Sequence, residues 1–222
     1  MITIAAENFI KAVYKFENRS DWDSRPGTIA RELGITNAAA TDMARKLARK
    51  NLLDYQKYKQ LKLSPAGRKL ALGIIRKHRL WETFLYRTFN LSLHEIHREA
   101  EQLEHLTSDF LAEKINSFLG NPSTDPHGDP IPTEQGELLP DDKSVILSSA
   151  EPGQHYEISR LSGSDQEFFD FCNANNLVVG TVISVKKQYE KNRMTEIEID
   201  RNKLLLNSEV GGIIFIKKMI ED

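Results

Sequence analysis

The chain has 222 residues, 40% hydrophobic and 28% charged, with a formal net charge of -2. No apolar run approaches the ~20 residues that cross a bilayer, so composition excludes a helical membrane protein. One cysteine, Cys172, excludes both an internal disulfide framework and a multi-cysteine metal centre, so any bound metal must be held by nitrogen and oxygen.

The first segment, Ile4 to Glu17, carries Phe9, Ile10, Val13 and Tyr14 on one 3.6-residue stripe and is expected to be an amphipathic helix. The N-terminus shows no basic, apolar and small-residue succession of a secretion signal, so the expected address is cytoplasmic. A second helix is expected over Thr28 to Leu33, stopped by Gly34. A third runs from a cap at Thr36 or Asn37 to about Lys50, with Met43 and Leu47 inward. A short helix, a Gly-containing turn and a longer basic helix form the layout of a helix-turn-helix. Alternating apolar residues Leu53, Tyr55, Leu61 and Leu63 then predict two strands around Lys57 to Gln60, a wing.

Charge supports that reading. Between Arg25 and Arg68 ten Lys or Arg face three acids, a basic island in a mildly acidic chain. The residues expected at base edges are Thr36, Asn37, Ala38, Ala39, Thr41 and Asp42. Arg45, Lys46, Arg49, Lys57 and Lys59 are expected on phosphates.

Ser64-Pro65 opens a long helix expected to reach Phe89, and Ser92 with Glu95 forms a capping box for another expected over Leu93 to Leu119. On the latter His97, Glu101, Glu104 and His105 fall at about 0°, 40°, 340° and 80°, so one face gathers four metal-capable side chains. His78 and Glu82 repeat the i, i+4 spacing on the preceding helix, so two antiparallel helices would present six ligands to one groove. The same residues also suit a solvated face paired with Arg or Lys. Imidazole with carboxylate and no thiolate suits Mn(II), Fe(II), Co(II), Ni(II) or Zn(II) and disfavours Cu(I), with affinity order favouring the later metals in vitro. No HExxH, GxSxG or GxxxxGK[ST] pattern occurs, and an enzyme is not expected.

Five of the eight prolines fall between Gly120 and Asp142, which predicts an interdomain linker. Beyond it, strands are expected at Val182 to Val185, around Ile197 and Ile199, and at Ile213 to Ile216, with a short helix over Asp165 to Asn175. The expected fold class is mainly α with a small β domain. Its parts are a winged helix-turn-helix at 1–64, a helical metal-binding and dimerisation segment with the Pro-rich linker at 65–142, and an SH3-like barrel at 143–222.

TIARELGITNAAATDMARKLARKNLL, RKHRLWETFL, HREAEQLEH and DPHGDPIP together resemble the diphtheria toxin repressor family of iron- and manganese-dependent regulators, along nearly the full length. The resemblance implies a homodimer that binds operator DNA when Mn(II) or Fe(II) is present. It implies an ancillary metal site at His78, Glu82 and His97, and a primary site at Glu101, Glu104, His105 and Asn8. Glu101 stands where iron sensors often have Cys, which leans toward manganese. Manganese sensors usually place an Asp at Asn8 and an acid at Lys11. A charged Lys11 cannot ligate, so a single-ion primary site is expected. The barrel is expected to lend Asp165, Gln166 or Glu167 to the ancillary site, and Cys172 is expected in the core. A rival reading keeps the winged-helix regulator, makes the His/Glu face structural and gives the barrel a small-molecule effector. A third, a metal-storage or scaffold protein, leaves the basic island unexplained.

Overall fold

The computed structural model describes residues 2–17, 23–57, 59–138, 144–163 and 165–219. Its elements in order are α1 (Ile4–Glu17), α2 (Pro26–Glu32), α3 (Asn37–Arg49), β1 (Leu53–Asp54), β2 (Lys62–Leu63), α4 (Pro65–Phe89), α5 (Leu93–Leu103) and α6 (Asp109–Phe118). Then follow β3 (Ser144–Ile146), β4 (His155–Leu161), α7 (Gln166–Ala174), β5 (Val182–Tyr189), β6 (Met194–Ile199), β7 (Asn202–Asn207), α8 (Ser208–Gly211) and β8 (Ile214–Lys218). They form two compact units. One holds Met1–His78, Glu101–Lys114 and Pro132–Leu138, the other Arg79–Ala100, Ile115–Ile131 and Leu139–Asp222.

In the first unit the expected stripe of α1 is buried: Phe9, Ile10 and Val13 have no exposed surface, and Tyr14 is nearly covered. They share one core with Ile29, Ala40, Ala44, Leu47, Leu53 and Leu61, so α1, α2, α3 and the wing pack as a single apolar nucleus. Gly34, at φ +63°, reverses the chain after α2, and Ile35 N–H donates to Ala30 O at 2.9 Å. Thr36 then caps α3, its hydroxyl accepting from Ala39 N–H at 3.1 Å. At the other end of α3, Asn51 adopts φ 57° and Leu52 N–H returns to Leu47 O at 3.1 Å. The wing strands pair antiparallel, Leu53 with Leu63 and Asp54 with Lys62. They are two residues each, so the expected strands shrink and Lys57 and Lys59 lie in the connecting loop.

The expected single helix over Leu93 to Leu119 is two. The capping box at its start forms, with Ser92 N–H donating to Glu95 at 2.9 Å and Glu95 N–H to Ser92 Oγ at 3.3 Å. After Leu103 the ladder stops. Leu106 N–H and the Thr107 hydroxyl both donate to Leu103 O, at 3.2 and 2.7 Å, and Ser108 Oγ accepts from Leu111 N–H to open α6. Phe110, in the first turn of α6, is 72% exposed.

The second unit centres on a six-stranded antiparallel sheet in the order β3-β8-β4-β5-β6-β7. Its core gathers Ile158, Leu161, Ile183, Val185, Ile197, Ile214 and Ile216 with Phe168, Phe169 and Cys172 of α7. The expected linker is ordered where described. Thr124 bridges Pro130, Ile131 N–H donates to Ser123 O at 2.8 Å, and Leu161 N–H of β4 donates to His127 O at 2.8 Å. Gly128, at φ +88°, abuts β4 so closely that a Cβ there would sit 2.0 Å from Ser159 O. The rest of that stretch, 139–142, lies outside the described residues.

Candidate metal centre and DNA-binding face

In the first unit, four elements converge on one group of polar side chains. α1 supplies Glu7 and Lys11, α4 supplies His78, α5 supplies Glu101, and the turn after it supplies Glu104 and His105. Glu104 is 1% exposed. Its Oε2 accepts from His78 Nδ1 at 2.6 Å, and both its oxygens accept from Lys11 Nζ, at 2.8 and 2.9 Å. Lys11 Nζ also reaches Glu101 Oε1 at 2.6 Å. A buried carboxylate without such donors would be heavily penalised.

His105 donates through Nδ1 to Glu7 Oε2 at 2.6 Å, which leaves Nε2 as an acceptor. That Nε2 is buried without a hydrogen-bond partner, 3.3 Å from Glu104 Oε1, and Asn8 Oδ1 is likewise buried and unpartnered. Two lone-pair donors of the first unit are thus buried without a proton donor to satisfy them, one of them beside Glu104. They suit a divalent cation, and an imidazole, amide and carboxylate set is the chemistry of Mn(II) or Fe(II) binding.

In the second unit Glu82 is 2% exposed, and its Oε1 accepts from His97 Nδ1 at 2.9 Å. Glu82, Asp125 and His127, all buried, offer ligand atoms lying within 4.8 Å of one another. His127 Nδ1 stands 3.7 Å from Glu82 Oε2 and 3.8 Å from Asp125 Oδ1. Burial, then the Glu82 charge and that of Asp129, holds the Asp125 carboxyl well above the usual carboxylate range. Burial pulls His127 down, but its bond to Glu82 and the charges of Glu82 and Asp125 outweigh that and leave it raised. Two carboxylates crowded in a dry pocket are a poor arrangement for anions alone and a good one around a cation.

Of the residues expected from sequence, His78 bonds Glu104 in the first unit, and His97 bonds Glu82 in the second. Asp165, Gln166 and Glu167 are exposed, and Asp165 caps α7 by accepting from Phe168 N–H at 2.8 Å. Cys172 is in the core, its thiol pushed up to about 12 by burial and the nearby Asp165 charge. Sequence reasoning passed over Glu7, Asp125 and His127. Asp125 and His127 sit in DPHGDPIP, where two acids flank a histidine inside a rigid Pro/Gly stretch, a signal the linker expectation hid.

Thr36, Asn37, Ala38 and Ala39, at the start of α3, are exposed, and Thr41 is half-buried with its hydroxyl on Asn37 O at 2.8 Å. Asp42 pairs with Lys46 at 2.8 Å along the helix surface. Arg45 lies over the Tyr55 ring at 5.9 Å, and Arg49, Lys57 and Lys59 are exposed. The basic island thus presents an open face around α3 and the wing loop.

Three family descriptions cover the chain in succession. Residues 1–61 match the iron dependent repressor N-terminal DNA binding domain, residues 64–133 the iron dependent repressor metal binding and dimerisation domain, and residues 145–218 the FeoA domain. The diphtheria toxin repressor of Corynebacterium efficiens is 25% identical over 188 residues, 81% of each chain. The iron-dependent repressor IdeR of Mycobacterium tuberculosis is 32% identical over 126 residues, 57% of this chain and 54% of that one. Among solved structures, a manganese-dependent transcriptional repressor in complex with manganese is 28% identical, with a TM-score of 0.89 over 96% of this chain and 100% of its own. ScaR with bound Zn2+ is 29% identical, with a TM-score of 0.82 over 96% and 99%. Among the described residues no helix is long and apolar enough to cross a membrane. With a helical DNA-binding domain, a helical dimerisation domain bearing His/Glu metal sites and a β-rich FeoA domain of SH3-like type, the chain belongs to the iron-dependent repressor family of metal-dependent transcriptional repressors.

Proposed function

We propose that this protein is a cytoplasmic repressor that binds operator DNA as a homodimer when Mn(II) or Fe(II) occupies its primary site, and that it thereby controls metal homeostasis. The observation that carries this reading is the pair of buried, unpartnered acceptors, Asn8 Oδ1 on α1 and His105 Nε2 beyond α5. Asn8, Glu101, Glu104 and His105 are the proposed primary ligands. A divalent ion bound there supplies a charge-dense cross-link between α1 and the turn after α5. Because α1 shares its core with α3, fixing Asn8 fixes the recognition helix, and two such helices of a dimer can then meet successive major grooves.

The proposed domain limits are 1–64, 65–142 and 143–222. We keep His78, Glu82 and His97 as the ancillary ligands, with Asp165 or Glu167 lent by the barrel, and add Asp125 and His127, which gather around Glu82 in the second unit. Base edges are read by Thr36, Asn37, Ala38, Ala39, Thr41 and Asp42, and phosphates are met by Arg45, Lys46, Arg49, Lys57 and Lys59.

The test is a metal titration on DNA selected from a random duplex library by the Mn(II)-loaded protein. Mn(II) or Fe(II) should raise affinity at least tenfold, about 1.4 kcal/mol of coupling, and Glu104→Ala or His105→Ala should abolish the rise. Equal binding in chelator would leave the His/Glu face structural and favour a small-molecule effector held by the barrel.

A further inference from the structure

The exposed side of α3 carries one acid among its bases. At 100° per residue Ala38, Asp42, Arg45, Lys46 and Arg49 fall at about 0°, 40°, 340°, 80° and 20°, opposite the buried Ala40, Ala44 and Leu47 at about 200°, 240° and 180°. Asp42 therefore stands close to the crest of the outward stripe, one turn after Ala38. Ala38 and Ala39 are exposed and end at Cβ, so their side chains do not hold the first turn of the helix away from a groove floor. Along that crest Asp42 is the first side chain able to form a hydrogen bond.

A carboxylate in this place works against the face that bears it. The stripe is otherwise basic, as phosphate contact requires, and an acid within it repels the same phosphates. Lys46 offsets that charge, its Nζ lying 2.8 Å from Asp42 Oδ2, and the side chains remain 61% and 58% exposed. The bond from Lys46 also holds the Asp42 carboxyl below the ordinary carboxylate range, with the charges of Lys46, Arg49 and Arg45 adding to it against some desolvation. The group is thus ionised at neutral pH, and an ionised carboxylate only accepts.

Base edges in the major groove differ in what they can give to an acceptor. Guanine shows two acceptors, and thymine an acceptor and a methyl group, so both are refused. Adenine donates through N6, but its N7 acceptor stands beside that donor and repels the second oxygen. Cytosine offers its N4 amino group with no acceptor on its own edge.

We infer that Asp42 is a specificity-determining residue: in each protomer its carboxylate accepts a hydrogen bond from the N4 amino group of one cytosine in the major groove, and so selects one C·G pair in each half-site. The inference rests on the proposed base-reading face of α3 and adds the base that one of its residues chooses. Lys46 keeps the acid from weakening phosphate attraction, while the choice of base belongs to Asp42.

The experiment uses the full chain as wild type, Asp42→Ala, Asp42→Asn and Lys46→Ala. Each selects duplexes from a random library, once with Mn(II) and once in chelator, and affinities are then measured for selected sites carrying each base pair in turn. Wild-type sites should hold one C·G pair per half-site whose replacement lowers affinity about fivefold or more. Asp42→Ala should lose the preference at that pair alone. Asp42→Asn, which presents a donor beside an acceptor, should move it to A·T, because adenine offers N6 and N7 together. Lys46→Ala should weaken binding to all sequences and leave the C·G preference in place. Tighter binding of Asp42→Ala to every sequence alike would mean that the acid only repels phosphate, and the inference falls. It falls equally if the selected base pairs are the same with and without Asp42. Equal selection in chelator would count against the metal reading, with the base preferences still deciding the role of Asp42. No enriched sequence under either condition would overturn both.

Discussion

Glu7 Oε2 lies 2.6 Å from His105 Nδ1, joining the first turn of α1 to the turn after α5 across 98 positions of sequence. The carboxylate fixes both the ring orientation and the tautomer, so the lone pair of Nε2 is left without a hydrogen-bond partner beside Glu104 Oε1. Glu7 touches the ligand rather than the ion. Glu7→Gln should therefore weaken Mn(II) binding roughly 10- to 100-fold while leaving the number of ions unchanged. Calorimetric titration checks this, and a loss smaller than twofold would remove Glu7 from the site.

The exposed face around α3 separates two kinds of contact. Lys59→Ala in the wing loop should lower affinity for all DNA sequences alike and reduce the salt slope by about one, since it removes one phosphate contact. Changes at Thr41 should alter sequence preference instead. Thr36→Ala should lower stability by about 1 kcal/mol through loss of the cap on Ala39 N–H, detectable in urea denaturation. A Lys59 variant that altered preference at constant salt slope would disprove the wing assignment.

Gly128 places His127 beside Glu82. At φ +88°, with Ser159 O only 2.0 Å from the position of an added Cβ, it tolerates no side chain without a backbone shift. Gly128→Ala should destabilise the protein by about 1–3 kcal/mol and reduce bound metal by the ion assigned to Glu82, Asp125 and His127. Thermal unfolding and metal analysis after desalting read the two effects separately. Normal stability and metal content would show that the 125–131 segment can be redrawn freely.

Cys172 packs in the sheet core with its thiol raised to about 12. A thiol whose folded value is raised favours the folded state below its unfolded value, near 9, and that advantage is lost as pH climbs from 9 toward 12. The native protein at pH 8 should thus react with a disulfide reagent at the rate of global opening, and denaturant should release one fast thiol. Rapid labelling without denaturant would mean that the α7 side of the core opens on its own.

How much of this was legible beforehand depended on the range of the interaction. α1, α3 and the capping box at Ser92 follow from residues within four positions of one another, where period, caps and turn chemistry act directly, and their expected ends agree with the structure to within a residue or so. The break after Leu103 was also local, written in Thr107 and Ser108, but the fan of His97, Glu101, Glu104 and His105 over one face concealed it. The long apolar and polar periodicity decided that α4 and α5 carry His and Glu inward. It could not decide how those side chains divide.

That division came from contacts between distant stretches of chain. Lys11 meets Glu104 at a separation of 93 residues and Glu7 meets His105 at 98. His127 reaches Glu82 only because β4 holds the Pro-rich segment through Leu161 N–H and the bare Cα of Gly128. Composition, periodicity and capping chemistry belong to the sequence alone and set the helices, the basic face and the supply of nitrogen and oxygen ligands. Which carboxylate or imidazole faces which neighbour was decided by tertiary packing, because burial sets both the cost of each unpaired charge and the identity of the neighbour that offsets it.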